Sequence, residues 1–503
     1  MARRYQEIVM EENQSKPSLN FRTKFYYGFG SISFGIKNNG FSYFVLFVYS
    51  SVLGLPAWMA GLALNLVLVA DAITDPLVGY YSDRTRSRWG RRHPFMYAAA
   101  LPVAITYYFL WTPPESLTDW QLFSYLLVCA IIIRVFITFY EVPSVSLGPE
   151  LTDNYVERTS LMSFRYFFGW FGGLTTYNLV WFWFGPNNVT QTYSDGRFNP
   201  EAWSEYGLVA AVLIFIGIIV TSAGTHKHIP ELIEPPERKN TGLKIVFKEV
   251  KETLLTNRSY MFLFVSGLLA ALAGGIEAAF AVYFDSYFWD LNLDEMLTRG
   301  LCLYLSPIFA IILAPIFTDK FGKKKTVMSL WAFQIFFAAL PFALRYCDLT
   351  FGTTLFPTND SPYLLVTLCV HVVINVTCAI IVFATLSSML MDLVEDIQLK
   401  TGRREEGVLF SARSFADKAV SGFGLTFAGI ILSLISFPES SEIREQLNGV
   451  VPDQVLADLA IWYIPICIVA FGSALSLVAG YSLTRDEHED NAANPDTKVW
   501  KGE

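Results

Sequence analysis

Charged residues are scarce in this sequence. Lys, Arg, Asp and Glu make up 16% of the 503 residues, whereas hydrophobic residues make up 53%. Soluble domains contain about 25% charged residues, because a chain of this length needs polar surface to cover its core. The net charge of −8 provides no basic face for phosphates, so no nucleic-acid partner is expected. The composition predicts an all-α membrane protein embedded in a lipid bilayer.

Motifs for metal clusters, disulfides and enzyme chemistry are also missing. The six cysteines are scattered without a CxxC pair, so neither a disulfide framework nor a metal cluster is predicted. The sequence contains no GxSxG, HExxH or GxxxxGK[ST] motif, which argues against an enzyme and against an ATP-driven pump. We therefore expect no cofactor. The tail 1–24 has no apolar segment, so no cleaved signal peptide is expected.

Long apolar runs, by contrast, are abundant. A membrane span needs about 20 apolar residues, and twelve runs qualify, in two sets of six. They are 25–52, 57–81, 94–112, 121–148, 161–184, 206–224, 260–288, 300–317, 327–344, 363–391, 408–435 and 458–483. The predicted organisation is an N-terminal tail 1–24, a six-helix bundle 25–224, a central loop 225–259, a second six-helix bundle 260–483 and a C-terminal tail 484–503.

The basic residues fall mainly on one side of this predicted layout. We number the loops between consecutive predicted spans in chain order. The N-terminal tail and the even-numbered loops hold most of the 37 basic residues, whereas the odd-numbered loops hold only Arg197, Arg299, Arg345 and Arg444. Because cytoplasmic loops are enriched in Lys and Arg, we expect both termini and the central loop in the cytoplasm. The expected location is the plasma membrane (the inner membrane in a bacterium), and the expected state is a monomer.

Two loops at equivalent positions of the two halves resemble each other. Each has an acid, a base, then a glycine and two bases, which suggests a repeat of six spans. The predicted gating residues of these loops are Asp83, Arg84, Gly90, Arg91, Arg92, Asp319, Lys320 and Gly322. We predict that the loops lock neighbouring helices together in one state. The alternative is that their charges only signal topology.

Span two carries two acids at i and i+4, Asp71 and Asp75, with Thr74 between them. This spacing puts both carboxylates on one helix face. A charge inside a span costs about 2.5–3.5 kcal/mol or more, and a bound cation would relieve the repulsion between the two acids. Oxygen ligands suit a hard cation such as Na⁺, and H⁺ could instead neutralise one carboxylate. The alternative is a structural pair that is salt-bridged to a basic helix.

Span four carries Arg134, Thr138 and Glu141 at i, i+4 and i+7, again on one face. We predict a substrate or coupling role for this face, and an internal structural network is the alternative. In span one, Lys37 either binds an anionic group of the substrate or neutralises Glu141. In span eleven, Lys418 lies near the middle of the bilayer and is predicted to pair with a span-two aspartate when no cation is bound.

Three further polar residues in the second half carry a weaker signal. They are Glu277 in span seven and His371 and Asn375 in span ten. Each is interpreted as a candidate for function, or as a satisfied polar group in helix packing.

Several stretches resemble the glycoside–pentoside–hexuronide:cation symporters, a branch of the major facilitator superfamily that includes the melibiose/sodium permease. The stretches are Thr23–Gly30, Asp71–Gly79, Arg86–Gly90, Glu141–Glu150, Glu157–Thr159, Arg165 and Lys418. The resemblance implies twelve transmembrane helices in two six-helix bundles, the major facilitator fold. It also implies symport of a sugar, glycoside or sugar acid with Na⁺ or H⁺ by alternating access.

The resemblance also implies roles for individual residues. The cation site or its coupling would include Asp71, Asp75, Thr138 and Lys418. Glu141 and Arg165 would contact the sugar.

The sequence departs from the family pattern at three places. An acidic position of span one corresponds to Gly35 here, and neither Lys37 nor Arg134 has a charged counterpart. These additional cations favour a substrate with an acid group. The chain also resembles sodium-coupled lysophospholipid carriers, which gives an amphiphile as the alternative substrate.

Overall fold

The structure is a computed structural model, and it describes most of the chain. The described residues are 19–151, 155–231, 258–401, 420, 422–438 and 451–481. All regular elements among these residues are helices, so the predicted all-α class is confirmed there. In a bilayer the backbone must satisfy its own hydrogen bonds, and long apolar segments do so as helices.

We number the helices of nine or more residues in chain order. They are α1 Phe21–Phe29, α2 Ser31–Asn39, α3 Ala57–Arg84, α4 His93–Trp111, α5 Asp119–Leu151, α6 Tyr155–Leu179, α7 Pro200–His226, α8 Arg258–Tyr283, α9 Leu293–Cys302, α10 Leu305–Phe321, α11 Lys323–Phe351, α12 Leu364–Thr401, α13 Gly422–Leu434 and α14 Asp453–Val478. Within the described ranges, eight helical segments are long and apolar enough to cross a membrane. Two shorter apolar helices, Ala57–Asp71 and Gly422–Leu434, add to these.

The first and seventh predicted spans end in the same way. Each closes with a π-helical turn, Val48–Val52 or Phe284–Phe288. In both cases the first residue after the turn donates its backbone N–H to the carbonyl of the first turn residue. The third residue after the turn donates its backbone N–H to the carbonyl of the second turn residue. The bonds are Leu53 N to Val48 O at 2.9 Å, Leu55 N to Tyr49 O at 2.8 Å, Trp289 N to Phe284 O at 2.9 Å and Leu291 N to Asp285 O at 2.9 Å. The two spans hold equivalent positions in the predicted six-span repeat, which stays a prediction.

The chain divides into two compact units. One contains Met1–Phe41 and Val69–Lys239, and the other contains Ser42–Leu68 and Asn240–Glu503. The first two spans therefore each contribute a segment to both units, whereas the sequence-predicted boundaries assign these spans whole to the first bundle. Those boundaries stay a prediction.

Helix packing within each unit positions the polar residues. In the first unit, α4 packs against α5 and α7, and α2 packs against α6. In the second unit, α14 packs against α8 and α11, and α12 packs against α10 and α11. The polar residues of α3 and α5 and of α2 lie within the first unit, and Glu277 of α8 lies within the second.

The α2–α6 contact depends on a glycine. A Cβ on Gly35 would lie 1.9 Å from the carbonyl oxygen of Gly169. Only a residue without a side chain allows the two backbones to approach this closely. Position 35 is therefore used for a backbone contact between α2 and α6.

Candidate functional site

The two acids of α3 meet the polar face of α5 inside the first unit. The Thr138 hydroxyl donates towards Asp71 Oδ1 at 3.2 Å and Asp75 Oδ1 at 2.8 Å. Arg134 Nη1 donates to Asp71 Oδ2 at 3.1 Å. The spacing of the residues on each helix had predicted one polar face for α3 and one for α5. The structure brings these two faces together, so that Asp71, Asp75, Thr138 and Arg134 form one group, here called the α3–α5 polar group.

The Arg134–Asp71 pair is deeply buried. The two side chains are 8% and 2% exposed. The guanidinium also lies over the Phe41 ring, 4.8 Å from its centroid, in a cation–π contact. Because an isolated buried charge is expensive, each partner stabilises the other in this environment.

Thr138 has one proton for three acceptors. Besides the two carboxylates, its hydroxyl lies 2.9 Å from the Arg134 carbonyl oxygen. When the proton points to that carbonyl, the hydroxyl oxygen can face the carboxylates as a third ligand oxygen. The α3–α5 polar group can therefore present oxygens to a small cation without moving its backbone.

Two further residues were predicted for the same site. The Thr74 hydroxyl donates to the backbone carbonyl of Asp71 at 3.1 Å, so its proton is engaged locally along α3. Lys418 lies outside the described residues, and its predicted pairing stays a prediction.

A second ion pair joins α2 to α5. Lys37 Nζ lies 3.7 Å from Glu141 Oε2, and the two side chains are 1% and 20% exposed. The ammonium group also lies 4.9 Å from the centroid of the Phe34 ring. Of the two predicted roles for Lys37, this placement corresponds to neutralisation of Glu141, which remains the more accessible partner.

Arg165 on α6 lies near the C-terminal part of the same α5 face. Its Nη1 donates to Ser144 Oγ at 3.1 Å, and Ser144 Oγ donates to the Glu141 carbonyl at 2.9 Å. The guanidinium lies 5.4 Å from the centroid of the Tyr27 ring. No carboxylate of the described residues lies within ion-pair distance of Arg165. This cation is therefore held by neutral groups, unlike Lys37 and Arg134.

The first predicted gating loop contacts the last helix of its own unit. Gly90 takes a left-handed φ of +71°, and its carbonyl accepts a hydrogen bond from Ser87 Oγ at 2.7 Å. This turn presents the Trp89 ring to Tyr97 and to His226 at the end of α7, with ring centroids 5.6 Å and 6.2 Å away.

The charged residues of this loop are placed only in part. Arg92 is buried at 5% exposure and Arg91 is half-buried. The side chains of Asp83 and Arg84 lie outside the described residues. The predicted gating role of all four stays a prediction.

The second predicted gating loop also contacts the last helix of its own unit. Gly322 ends α10 with a φ of +75°, and Lys320 lies 5.4 Å from the centroid of the adjacent Phe321 ring. The tie itself is made by Lys324, whose Nζ donates to the carbonyls of Ala479 and Tyr481 at 2.8 Å and 2.6 Å. The predicted gating role of Asp319, Lys320 and Gly322 stays a prediction.

We expect Lys324→Met to loosen the end of α14. The substitution leaves two terminal carbonyls without their charged donor, which costs about 1 kcal/mol for hydrogen bonds near the surface. The measurement is thermal unfolding in detergent, and the matched control is Lys325→Met at the exposed neighbouring position. Equal midpoints for the two variants would contradict this tie.

Sequence reasoning missed several residues around these groups. Phe41 and Tyr27 stack on the cations, Ser144 connects Arg165 to α5, and Lys324 ties α11 to α14. Aromatic residues and serines are too common in membrane helices to stand out. For Lys324, its position inside a basic run was the available signal.

Comparison with known proteins gives one family over most of the chain. The pattern of the family described as "MFS/sugar transport protein" matches residues 26–485. An uncharacterised symporter of Synechocystis sp. is 26% identical, with 96% of this chain and 97% of that protein covered. The isoprimeverose transporter of Lactiplantibacillus pentosus is 23% identical, with 90% and 87% covered. A sphingosine-1-phosphate transporter of Mus musculus is 24% identical, with 92% and 89% covered.

Solved structures give the same fold. The inward-open xylose transporter XylE from E. coli superimposes with a TM-score of 0.59 at 15% identity. The superposition covers 93% of this chain and 98% of the XylE chain. At this identity the similarity bears on the fold alone. The major facilitator fold expected from the sequence is confirmed.

Proposed function

Because this chain belongs to the MFS/sugar transport protein family, we propose that it couples the movement of an ion to that of a substrate. It is a transporter of the glycoside–pentoside–hexuronide:cation symporter type and not an enzyme. It takes up a sugar, glycoside or sugar acid together with Na⁺ or H⁺ by alternating access. The observation that carries this proposal is the Thr138 hydroxyl between the carboxylates of Asp71 and Asp75, at 3.2 Å and 2.8 Å.

The α3–α5 polar group suits a monovalent cation. Its ligand atoms are oxygens, which hard cations prefer. Among the described residues there is no group of three or more His, Cys, Asp or Glu side chains that could hold a metal ion. Asp71, Asp75 and Arg134 together carry one formal negative charge, which one monovalent cation would neutralise.

Arg134 competes with the cation for Asp71. Its Nη1 already occupies Asp71 Oδ2, so an incoming Na⁺ or H⁺ weakens that ion pair. The guanidinium is then released from part of its attraction to α3. This exchange links occupancy of the cation site to the position of α5, the helix that also carries Glu141.

The substrate binds along the Glu141–Arg165 face. Glu141 is the accessible member of its ion pair at 20% exposure, and its oxygens can accept hydrogen bonds from sugar hydroxyls. Lys37 and Arg134 are balanced by acids of the protein. Arg165 is held by neutral groups, so it is the cation we assign to the carboxylate of a sugar acid. Lys37 and Arg134 shape specificity through their partners.

The membrane arrangement completes the proposal. The chain is a multi-pass membrane protein, and the distribution of basic residues supports cytoplasmic termini. We propose that it acts as a monomer.

We expect Asp75→Asn to remove cation stimulation of transport. The amide keeps the shape of the side chain but loses its charge, so cation and substrate no longer favour each other. Coupling free energies of this kind correspond to about 5- to 150-fold changes in affinity. The measurement is uptake of labelled sugars into proteoliposomes, with and without a Na⁺ or H⁺ gradient.

The matched control is Asp119→Asn at the exposed start of α5, which should behave like the native protein. Exchange of substrate without a gradient should persist in Asp75→Asn. Full cation stimulation in that variant would refute the proposed site.

A lysophospholipid or another amphiphile is the second candidate substrate. The similarity to a mouse sphingosine-1-phosphate transporter supports it, and Arg165 would then bind the phosphate. Uptake of labelled lysolipid into the same proteoliposomes separates the candidates, because cation-stimulated uptake of this label is expected only if this alternative holds.

A further inference from the structure

Glu277 is a carboxyl group inside the second unit. It lies on α8 and lines a small cavity of about 20 Å³, which has room for about one water molecule. The cavity walls are mostly apolar and aromatic, with Trp331 and Ala338 of α11 and Tyr463 and Phe471 of α14 among them. No residue proposed above for cation or substrate binding lies in this wall.

In the part of the chain that the structure describes, the polar group that hydrogen-bonds to Glu277 is neutral. Asn375 Nδ2 on α12 donates to Glu277 Oε1 at 3.3 Å. Among the described residues, no Lys, Arg or His forms an ion pair with Glu277. The Arg299 guanidinium acts on it only at longer range, and that guanidinium is already paired with Asp285.

The amide oxygen of Asn375 is a second observation that bears on the protonation of Glu277. Its side chain is 93% buried, since 7% is exposed, and its Oδ1 has no hydrogen-bond donor among the described residues. An ionised glutamate has no proton to give to this oxygen, so a buried acceptor would stay unsatisfied at a cost. A protonated glutamate can accept from Nδ2 through one oxygen and donate to Oδ1 through the other.

Within the described ranges, the other groups around Glu277 do not supply a compensating positive charge. The titratable groups that act on it are Tyr43 of the 42–68 segment, Tyr463 and Cys467 of α14, and Arg299 of α9. His371 lies one turn before Asn375 on α12 and is directed to the Phe337 carbonyl at 3.1 Å. From α11, the polar group that lines the cavity is the neutral Gln334.

We propose that Glu277 is a proton-binding site of the second unit, neutral in this conformation as an acid–amide pair with Asn375. On protonation, a hydronium ion reaching the cavity gives its proton to a Glu277 carboxylate oxygen and leaves as water. The reverse step returns the proton to water. The link to transport rests on the proposed symport, in which this proton would add to the cation bound by α3 and α5.

Infrared spectroscopy of the purified full-length protein tests the protonation directly. A protonated carboxyl has a C=O stretching band that a carboxylate lacks, and an exposed glutamate is ionised at neutral pH. We expect this band at neutral pH in the native protein and its loss in Glu277→Gln. The control Glu115→Gln, at an exposed position between α4 and α5, should keep it. Asn375→Leu should shift the band to higher frequency, because it removes the amide partner.

Uptake measurements then test the link to transport. Glu277→Gln imitates the neutral acid, so the uptake of this variant should respond less to external pH. We expect the ratio of uptake rates between low and high external pH to fall by at least about fivefold, the lower end of usual coupling. A band that persists unchanged in Glu277→Gln overturns the proton site. A lost band with an unchanged pH profile overturns the link to transport. Absence of sugar uptake by the native protein under any cation gradient refutes the proposed function. The infrared test of Glu277 protonation does not depend on that outcome.

Discussion

Replacing Arg134 with leucine is expected to be among the most damaging single changes in this protein. Asp71 would keep its charge at 2% exposure and lose its guanidinium partner. Removing one member of a buried ion pair costs about 3–5 kcal/mol, because the other charge stays buried and uncompensated. Thermal unfolding in detergent and the yield of folded protein measure the effect. Cation-driven uptake should fall with them.

A double-mutant cycle identifies the cause of that loss. Asp71→Asn combined with Arg134→Leu removes both charges, so the double variant should be more stable than the two single costs added together predict. Arg22→Leu at the exposed start of α1 is the matched control and should cost little. If Arg134→Leu is as mild as Arg22→Leu, the pair contributes nothing to the fold.

Gly35→Ala should have a comparable effect through packing alone. The new Cβ would lie 1.9 Å from the Gly169 carbonyl oxygen, a distance that requires α2 and α6 to separate. Overpacking of a well-filled interior costs about 1–3 kcal/mol and sometimes more, and we expect the upper end because the contacted atom belongs to the backbone. Lys37 follows two residues later, so its ion pair with Glu141 should weaken too. Thermal unfolding and substrate uptake both report the change.

Gly169→Ala provides the control from the same helix contact. A Cβ there would meet Ser31 atoms at 3.6 Å and 3.8 Å, which are ordinary contacts. This variant should remain close to the native protein in stability and uptake. If the two alanine variants behave alike, close backbone approach at Gly35 is not what limits this position.

The positions of the helices could be predicted from the sequence. Predicted spans such as 94–112 and 121–148 correspond to α4, His93–Trp111, and α5, Asp119–Leu151. These predictions succeed because the bilayer requires local properties, a run of about 20 apolar residues with internal backbone hydrogen bonds. The common face of Asp71 and Asp75 was also predictable, since it depends only on the helical period.

The partners of the charged residues were predictable only in part. The spacing on α5 indicated a polar face that included Arg134, but it did not indicate that Arg134 pairs with Asp71 across to α3. For Lys37, two roles remained open until the structure placed it beside Glu141. The contact of Gly35 with Gly169 was not predicted from the sequence.

The sequence by itself determined the membrane class, the helices, the family and which few charges lie inside spans. These follow from composition, hydropathy and spacing, which are properties of one segment at a time. Only the tertiary structure decided which charges meet, and that, among the described residues, Arg165 is held by neutral groups and Glu277 accepts a hydrogen bond from an amide. The physical reason is that pairing depends on the rotation and separation of packed helices. Side chains that are far apart in the sequence determine that rotation and separation jointly.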